Sequence, residues 1–133
     1  MAGFERGYSG FVIDLENGWT VSIQFGAGNY ATNRNMEWRA MESIPYLESN
    51  TAEIAAWVTE HRTGDERFWW EFEDGQEVKG WQTPTEVIAF INDVSKMRQM
   101  KSCGCWVHPD EMAKAPWEMG DGRHNVRERD GVE

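Results

Sequence analysis

Two short stretches concentrate the side chains that do chemistry. The first, "GAGNYATNRN" at residues 26–35, brings together Asn29, Tyr30, Asn33, Arg34 and Asn35 behind two glycines. Side-chain amides read the edge of a base, a tyrosine ring stacks on its face, and a guanidinium binds phosphate through two parallel hydrogen bonds. Gly26-Ala27-Gly28 matches half of a dinucleotide-binding fingerprint, but no helix signal follows at once, so the match is weak. Two readings stay open. Either the glycines only turn the chain, with Gly28 at positive φ, or they let backbone amides approach a phosphate or a neighbouring subunit.

The second stretch is "CGCWVH", with Cys103, Cys105 and His108. Two thiolates and an imidazole supply three zinc ligands, and Asp110 or His124 a fourth. The usual C-x-x-C with a second pair downstream is missing, and the plainer reading is buried or idle thiols, with no metal. Cysteines one residue apart rarely make a structural disulfide, which points to a reducing compartment and a cytoplasmic protein. No nucleophile elbow, phosphate-binding loop or H-E-x-x-H run occurs, and His61, His108 and His124 are scattered. No catalytic residue and no cofactor are expected.

The elements that must position these groups read as an α+β fold. "FVIDL" and "WTVSIQF" alternate strictly, the first placing Phe11, Ile13 and Leu15 on one face and the second Trp19, Val21, Ile23 and Phe25. A two-residue turn at Asn17-Gly18 sends these sets to opposite faces. A three-residue loop, Glu16-Asn17-Gly18, pairs Leu15 with Trp19 and Ile13 with Val21, so that loop is predicted, with Gly18 left-handed in a bulge. Residues 26–50 show no sustained period. "TAEIAAWV" and "RFWWEFE" alternate again and read as strands, "HRTGD" and Asp74-Gly75 as turns, and "QEVKGW" follows in a register that the pattern does not fix. Thr83, Pro84 and Glu86 form a capping box that opens a helix. Its apolar stripe is Val87, Ile88, Ile91, Val94 and Met97, with Phe90 at the edge. The prediction is an antiparallel sheet of about five to six strands with one amphipathic C-terminal helix packed on it. Residues 1–101 form a single α+β domain. Residues 102–133 form a C-terminal extension with a short helix after Pro109, partly disordered or ordered within an oligomer.

Thirteen basic against 23 acidic residues give a net charge of −10, which disfavours long nucleic acid as a partner. Basic residues are interspersed throughout, so the chain is not a uniformly acidic mimic of DNA. No basic-then-apolar leader and no long apolar run is present, so neither a signal peptide nor a membrane span is expected. Eight tryptophans exceed what the size requires. Trp69 and Trp70 are adjacent and must face opposite sides of a strand, so one needs a cover beyond the core: a helix, a second subunit or a flat ligand. A homo-oligomer, dimer or higher, follows. Arg98 near the helix end suits the helix dipole and also has the reach to meet a phosphate.

The runs "YSGFVIDLENGWTVSIQFGAGNYATNR", "NTAEIAAWV" and "VKGWQTPTEVIAFINDV" resemble the phage-encoded Thoeris anti-defence sponge proteins of the first type. The likeness covers about residues 8–97 and is strongest over N-G-W-T-V-S-I-Q-F-G-x-G-N-Y. It implies a non-catalytic α+β oligomer that binds cyclic ADP-ribose isomers and keeps them from an effector, some members also binding cyclic oligonucleotides at a separate site. Carried over by position, the resemblance implies an aromatic stack near Trp70 or Phe72, a polar contact near Gln82 and a helix-end arginine at Arg98. Asn29 and Arg34 join these from the chemistry of the loop. The alternative is a small acidic phage protein that inhibits a host enzyme by direct contact. A small enzyme that degrades such a signal is a third possibility, opposed by the missing acid–base constellation.

Overall fold

The computed structural model describes residues 2–7, 9–61 and 68–112. Five strands, β1 (Gly3–Arg6), β2 (Gly10–Asp14), β3 (Trp19–Gln24), β4 (Ala52–Val58) and β5 (Lys79–Gln82), form one antiparallel sheet in sequence order. Helix α1 (Trp38–Ser43) lies between β3 and β4, and α2 (Pro84–Ser95) follows β5. A small second sheet joins β6 (Arg98–Gln99) to β7 (Trp106–Val107), and a single helical turn, α3 (Pro109–Met112), comes after it. The α+β prediction holds, with a five-stranded antiparallel sheet and α2 packed on it.

The β2–β3 hairpin has the predicted register. Ile13 faces Val21 and Phe11 faces Ile23, while Leu15 N–H donates to Trp19 O at 2.7 Å. Gly18 closes the three-residue loop at φ +96°, a conformation that costs glycine nothing and other residues about 1–2 kcal/mol. Asn17 does more than turn the chain. Its Nδ2 donates to Val94 O at 2.9 Å and Met97 O at 3.2 Å, and its Oδ1 accepts from Trp19 N–H. One side chain thus closes the hairpin and ties it to the backbone at and just beyond the end of α2.

Helix α2 starts at the predicted capping box, with both reciprocal bonds between Thr83 and Glu86 present. Phe90 and Val94 are buried, and Met97 beyond the helix packs with them against Trp19, Val21, Ile54 and Ala56. Each such side chain contributes about 1.5–3 kcal/mol by leaving water. The stripe is narrower than predicted and rotated. Phe90 is central, and Ile88 is 61% exposed. Its position falls outside the 87–90–91–94 row that a 3.6-residue turn directs at the sheet.

Two other expectations change. "RFWWEFE" does not form a strand among its described residues: Trp69 makes only an isolated bridge with Trp57, and Trp70 N–H reaches Ala56 O at 2.8 Å. After that, Phe72 N–H turns back to Gln76 O around Gly75 at φ +83°, so the ladder stops. The Asp74-Gly75 turn is as predicted, whereas "HRTGD" lies almost wholly outside the described residues. Trp69 and Trp70 do face opposite sides. Trp70 enters the main core with Trp19, and Trp69 covers Trp57 at 4.7 Å between ring centroids, beside Val12, Ala55 and Val78. The second face is therefore covered by the chain itself at this point. Beyond Lys101 the core continues, because Trp106 is buried edge-on against Trp19. The short helix predicted after Pro109 is α3, and residues 113–133 lie outside the described residues.

Candidate binding platform at a bulged sheet edge

A single carboxylate organises the glycine loop. Glu53 in β4 accepts from Asn29 Nδ2 at 3.0 Å and from Tyr30 N–H at 3.2 Å. Asn29 Oδ1 in turn accepts from Gly26 N–H at 2.9 Å, and Gly28 N–H donates to Arg34 O at 3.0 Å. Asn33 ties the loop to Phe25 O and Glu48 O. The amides of Gly26 and Gly28 are thus engaged inside the loop and not turned to a ligand. Gly28 is required for its φ of +83°, with open space where a side chain would stand. Gly26 is required by packing, since a Cβ would come within 2.9 Å of Met41 Sδ and Ser9.

Opposite Glu53, β5 carries a bulge. Ala52 pairs with Gln82 and Ile54 with Lys79, so Gly80 and Trp81 together oppose one residue. Trp81 takes φ +57°, the one described residue other than glycine at positive φ. For a bulky side chain this conformation is uncommon and costs energy, and such outliers concentrate at binding sites. It is held by Trp81 N–H donating to Tyr30 O at 2.7 Å, and by Gly80 lying flat against Tyr30. The bulge leaves Trp81 55% exposed, and Tyr30, to whose carbonyl its N–H is bonded, is 49% exposed.

Arg34 completes the platform. Its guanidinium carbon stands 4.3 Å from the centre of the Tyr30 ring, within cation–π range. Arg34 is exposed and makes no ion pair among the described residues. Lys79, by contrast, is bound to Glu73 Oε1 at 2.7 Å. That hydrogen bond, with Lys79's charge, holds the Glu73 carboxyl below its ordinary value. Within this platform Arg34 is the cation with donors to offer an anion.

The remaining predicted site residues separate. Trp70 and Phe72 are buried against Phe90, at 5.4 and 5.3 Å between ring centroids, with Trp70 also edge-on to Trp19. Neither ring has a face open to a ligand, which corrects the stacking role predicted for them. Gln82 lies one residue from Trp81, but its amide donates to Gly80 O and lines a different feature. That feature is an apolar cleft of about 510 Å³ between α2 and the sheet, walled by Phe11, Phe25, Leu47, Val87 and Ile91. Arg98 is exposed in β6, beyond the end of α2 to which Asn17 is bonded. The hairpin turn and the glycine loop sit at opposite ends of β3, which spans roughly 17 Å, so Arg98 and Arg34 do not share a site. Tyr30 is exposed where the loop sequence placed an aromatic ring, whereas the bulge that exposes Trp81 follows from a strand offset that local pattern does not reveal.

At the zinc candidate, the sulfurs of Cys103 and Cys105 are bonded to each other, contrary to the predicted thiols. The argument for a reducing compartment loses that support. His108 is buried, its Nδ1 accepting from Asp110 N–H at 3.2 Å and its Nε2 3.5 Å from Asp93 Oδ1. Among the described residues no three His, Cys, Asp or Glu side chains are grouped to hold a metal, and no helix is long and apolar enough to cross a membrane. Compared with known proteins, the chain matches no family model, no curated protein and no solved structure.

Proposed function

We propose that the chain binds and sequesters a cyclic nucleotide-type immune signal without degrading it, as a phage anti-defence protein in the host cytoplasm. The ligand is a cyclic ADP-ribose isomer or a cyclic oligonucleotide. The observation that carries this reading is the exposed Tyr30 with the Arg34 guanidinium over its ring, Arg34 making no ion pair among the described residues, and with the exposed Trp81 bonded through its backbone N–H to Tyr30 O. Flat aromatic faces next to a guanidinium suit a molecule that combines bases with phosphates: rings for the base, Arg34 for the phosphate. A net charge of −10 is compatible with this, because one small anion needs a local cation and not a basic surface. The sequence resemblance supports the same class of ligand.

Arg34→Gln and Tyr30→Ala test the assignment in calorimetric titrations with cyclic ADP-ribose isomers and cyclic dinucleotides. Each variant should weaken binding at least about tenfold, roughly 1.4 kcal/mol, at unchanged thermal stability. Wild-type affinity in both variants would remove the platform from the binding site. Homo-oligomer assembly belongs to the same proposal. Phe4 on edge strand β1 is 82% exposed and Ile88 on α2 is 61% exposed, and both offer apolar surface to a second copy. That surface also favours the second reading, inhibition of a host enzyme by direct contact. Phe4→Asp and Ile88→Asp separate the two, since loss of self-association in sedimentation supports the first.

A further inference from the structure

The Cys-Gly-Cys segment is built as the tip of the β6–β7 hairpin. Met100 N–H donates to Cys105 O and Gly104 N–H donates to Met100 O, both at 2.7 Å, with Gly104 at φ +72°. Cys103 is exposed at this tip, whereas Cys105 is buried. The bridge is poorly suited to a purely structural role. A link across one intervening residue closes a very short loop and so removes little chain entropy, because that gain grows with loop length. The hairpin is in any case anchored from below by Trp106 and Val107, which are 8% and 2% exposed.

Its surroundings suit reaction better. Cys105 N–H donates to Cys103 Sγ at 3.2 Å, so a hydrogen-bond donor is aimed at the accessible sulfur. Cys105 Sγ lies 3.8 Å from Cys103 O, where a thiol proton finds an acceptor. One sulfur is thus accessible with a donor aimed at it, and the other is sheltered beside an acceptor.

We propose that Cys103 and Cys105 form a thiol–disulfide exchange site whose co-reactant is a dithiol. An incoming thiolate attacks Cys103 Sγ. The electron pair of the Cys103–Cys105 bond leaves on Cys105 Sγ, which takes a proton from solvent and donates it to Cys103 O. The second thiolate of the co-reactant then attacks the co-reactant's own sulfur in the mixed disulfide. Cys103 departs as a thiolate and accepts from Cys105 N–H. In sum the attacking dithiolate loses two electrons and becomes a disulfide, and the protein gains them as a thiolate at Cys103 and, with the one proton taken from solvent, a thiol at Cys105; the reverse reaction oxidises a dithiol. This activity is independent of the nucleotide platform.

The test uses the full chain equilibrated in mixtures of reduced and oxidised dithiothreitol, acid-quenched, alkylated and mapped by mass spectrometry. The expected result is one reversible two-electron transition between bonded and free sulfurs, with the melting temperature changing by no more than a few degrees. In the reduced protein, iodoacetamide should label the exposed Cys103 before the buried Cys105. Cys105→Ser should capture a mixed disulfide at Cys103, and should that variant fail to fold, the labelling order in the wild type decides the matter. The proposal is overturned if the sulfurs stay unbonded in every mixture. It is equally overturned if Cys105 labels first, or if reduction unfolds the protein.

Discussion

Replacing Gly80 with alanine puts a methyl group where β5 lies flat on the glycine loop. The new Cβ would fall on Tyr30 Cβ and 2.7 Å from Tyr30 O, with Tyr30 C at 3.4 Å. None of these is the far end of a flexible side chain, so relief requires β5 to lift off the loop. Overpacking of this kind costs about 1–3 kcal/mol. Lifting also breaks the bond from Trp81 N–H to Tyr30 O, worth about 0.5–1.5 kcal/mol. Release of Trp81 from its left-handed φ offsets about 1 kcal/mol. The balance is a net loss of about 2 kcal/mol, or about 6–10 °C in melting temperature for a chain of this length. Urea unfolding followed by tryptophan fluorescence measures the loss, and native-state amide exchange locates it. The amide of Trp81 should exchange much faster, while that of Val21 in β3 changes only by the global loss. Gly3→Ala is the control, since nothing stands within 4 Å of a Cβ there, and it should leave stability unchanged. Stability of Gly80→Ala within about 0.5 kcal/mol of wild type, with the Trp81 amide still protected, would refute the bulge-on-loop geometry.

Three further outcomes follow from the same geometry. Asn17→Ala removes bonds to Val94 O, Met97 O and Trp19 N–H together. It should cost about 1–3 kcal/mol in denaturant unfolding, and a neutral result would mean that this side chain does not tie the hairpin to the end of α2. Gly28→Val forces a side chain to φ +83° in open space. Calorimetry should show about 1–2 kcal/mol of lost stability, with any weakening of ligand binding no greater than that loss, because the loop amides are already engaged. Trp106→Ala empties a core position against Trp19. It should cost about 3–5 kcal/mol, whereas a small effect would detach the residues beyond Lys101 from the domain.

What was legible in the sequence was local. The β2–β3 register followed from parity alone, because only a three-residue loop keeps Leu15, Ile13 and Phe11 on the side of Trp19, Val21 and Ile23. The start of α2 followed from Thr83, Pro84 and Glu86, whose roles depend on neighbours three residues apart. The missed features depend on long-range partners. Glu53 gathers Asn29 and Tyr30 from 24 and 23 residues away, so the amides expected to face a ligand were already in use. Alternation in "RFWWEFE" is a genuine strand signal, but Phe72 N–H finds a nearer acceptor in Gln76 O. Counting tryptophans identified an excess, yet which rings are open depends on what packs over them: Trp70 and Phe72 are covered by Phe90, and Trp81 is turned out by the bulge.

Sequestration makes one demand that neither catalysis nor contact inhibition shares, namely that the ligand is retained and comes back unchanged. Purified protein incubated with a panel of cyclic ADP-ribose isomers and cyclic oligonucleotides, stripped of free ligand and denatured by heat, should release a nucleotide of unaltered mass, and Arg34→Gln should release little. A product of altered mass would make the protein an enzyme, and the absence of any retained nucleotide would contradict the proposed function outright.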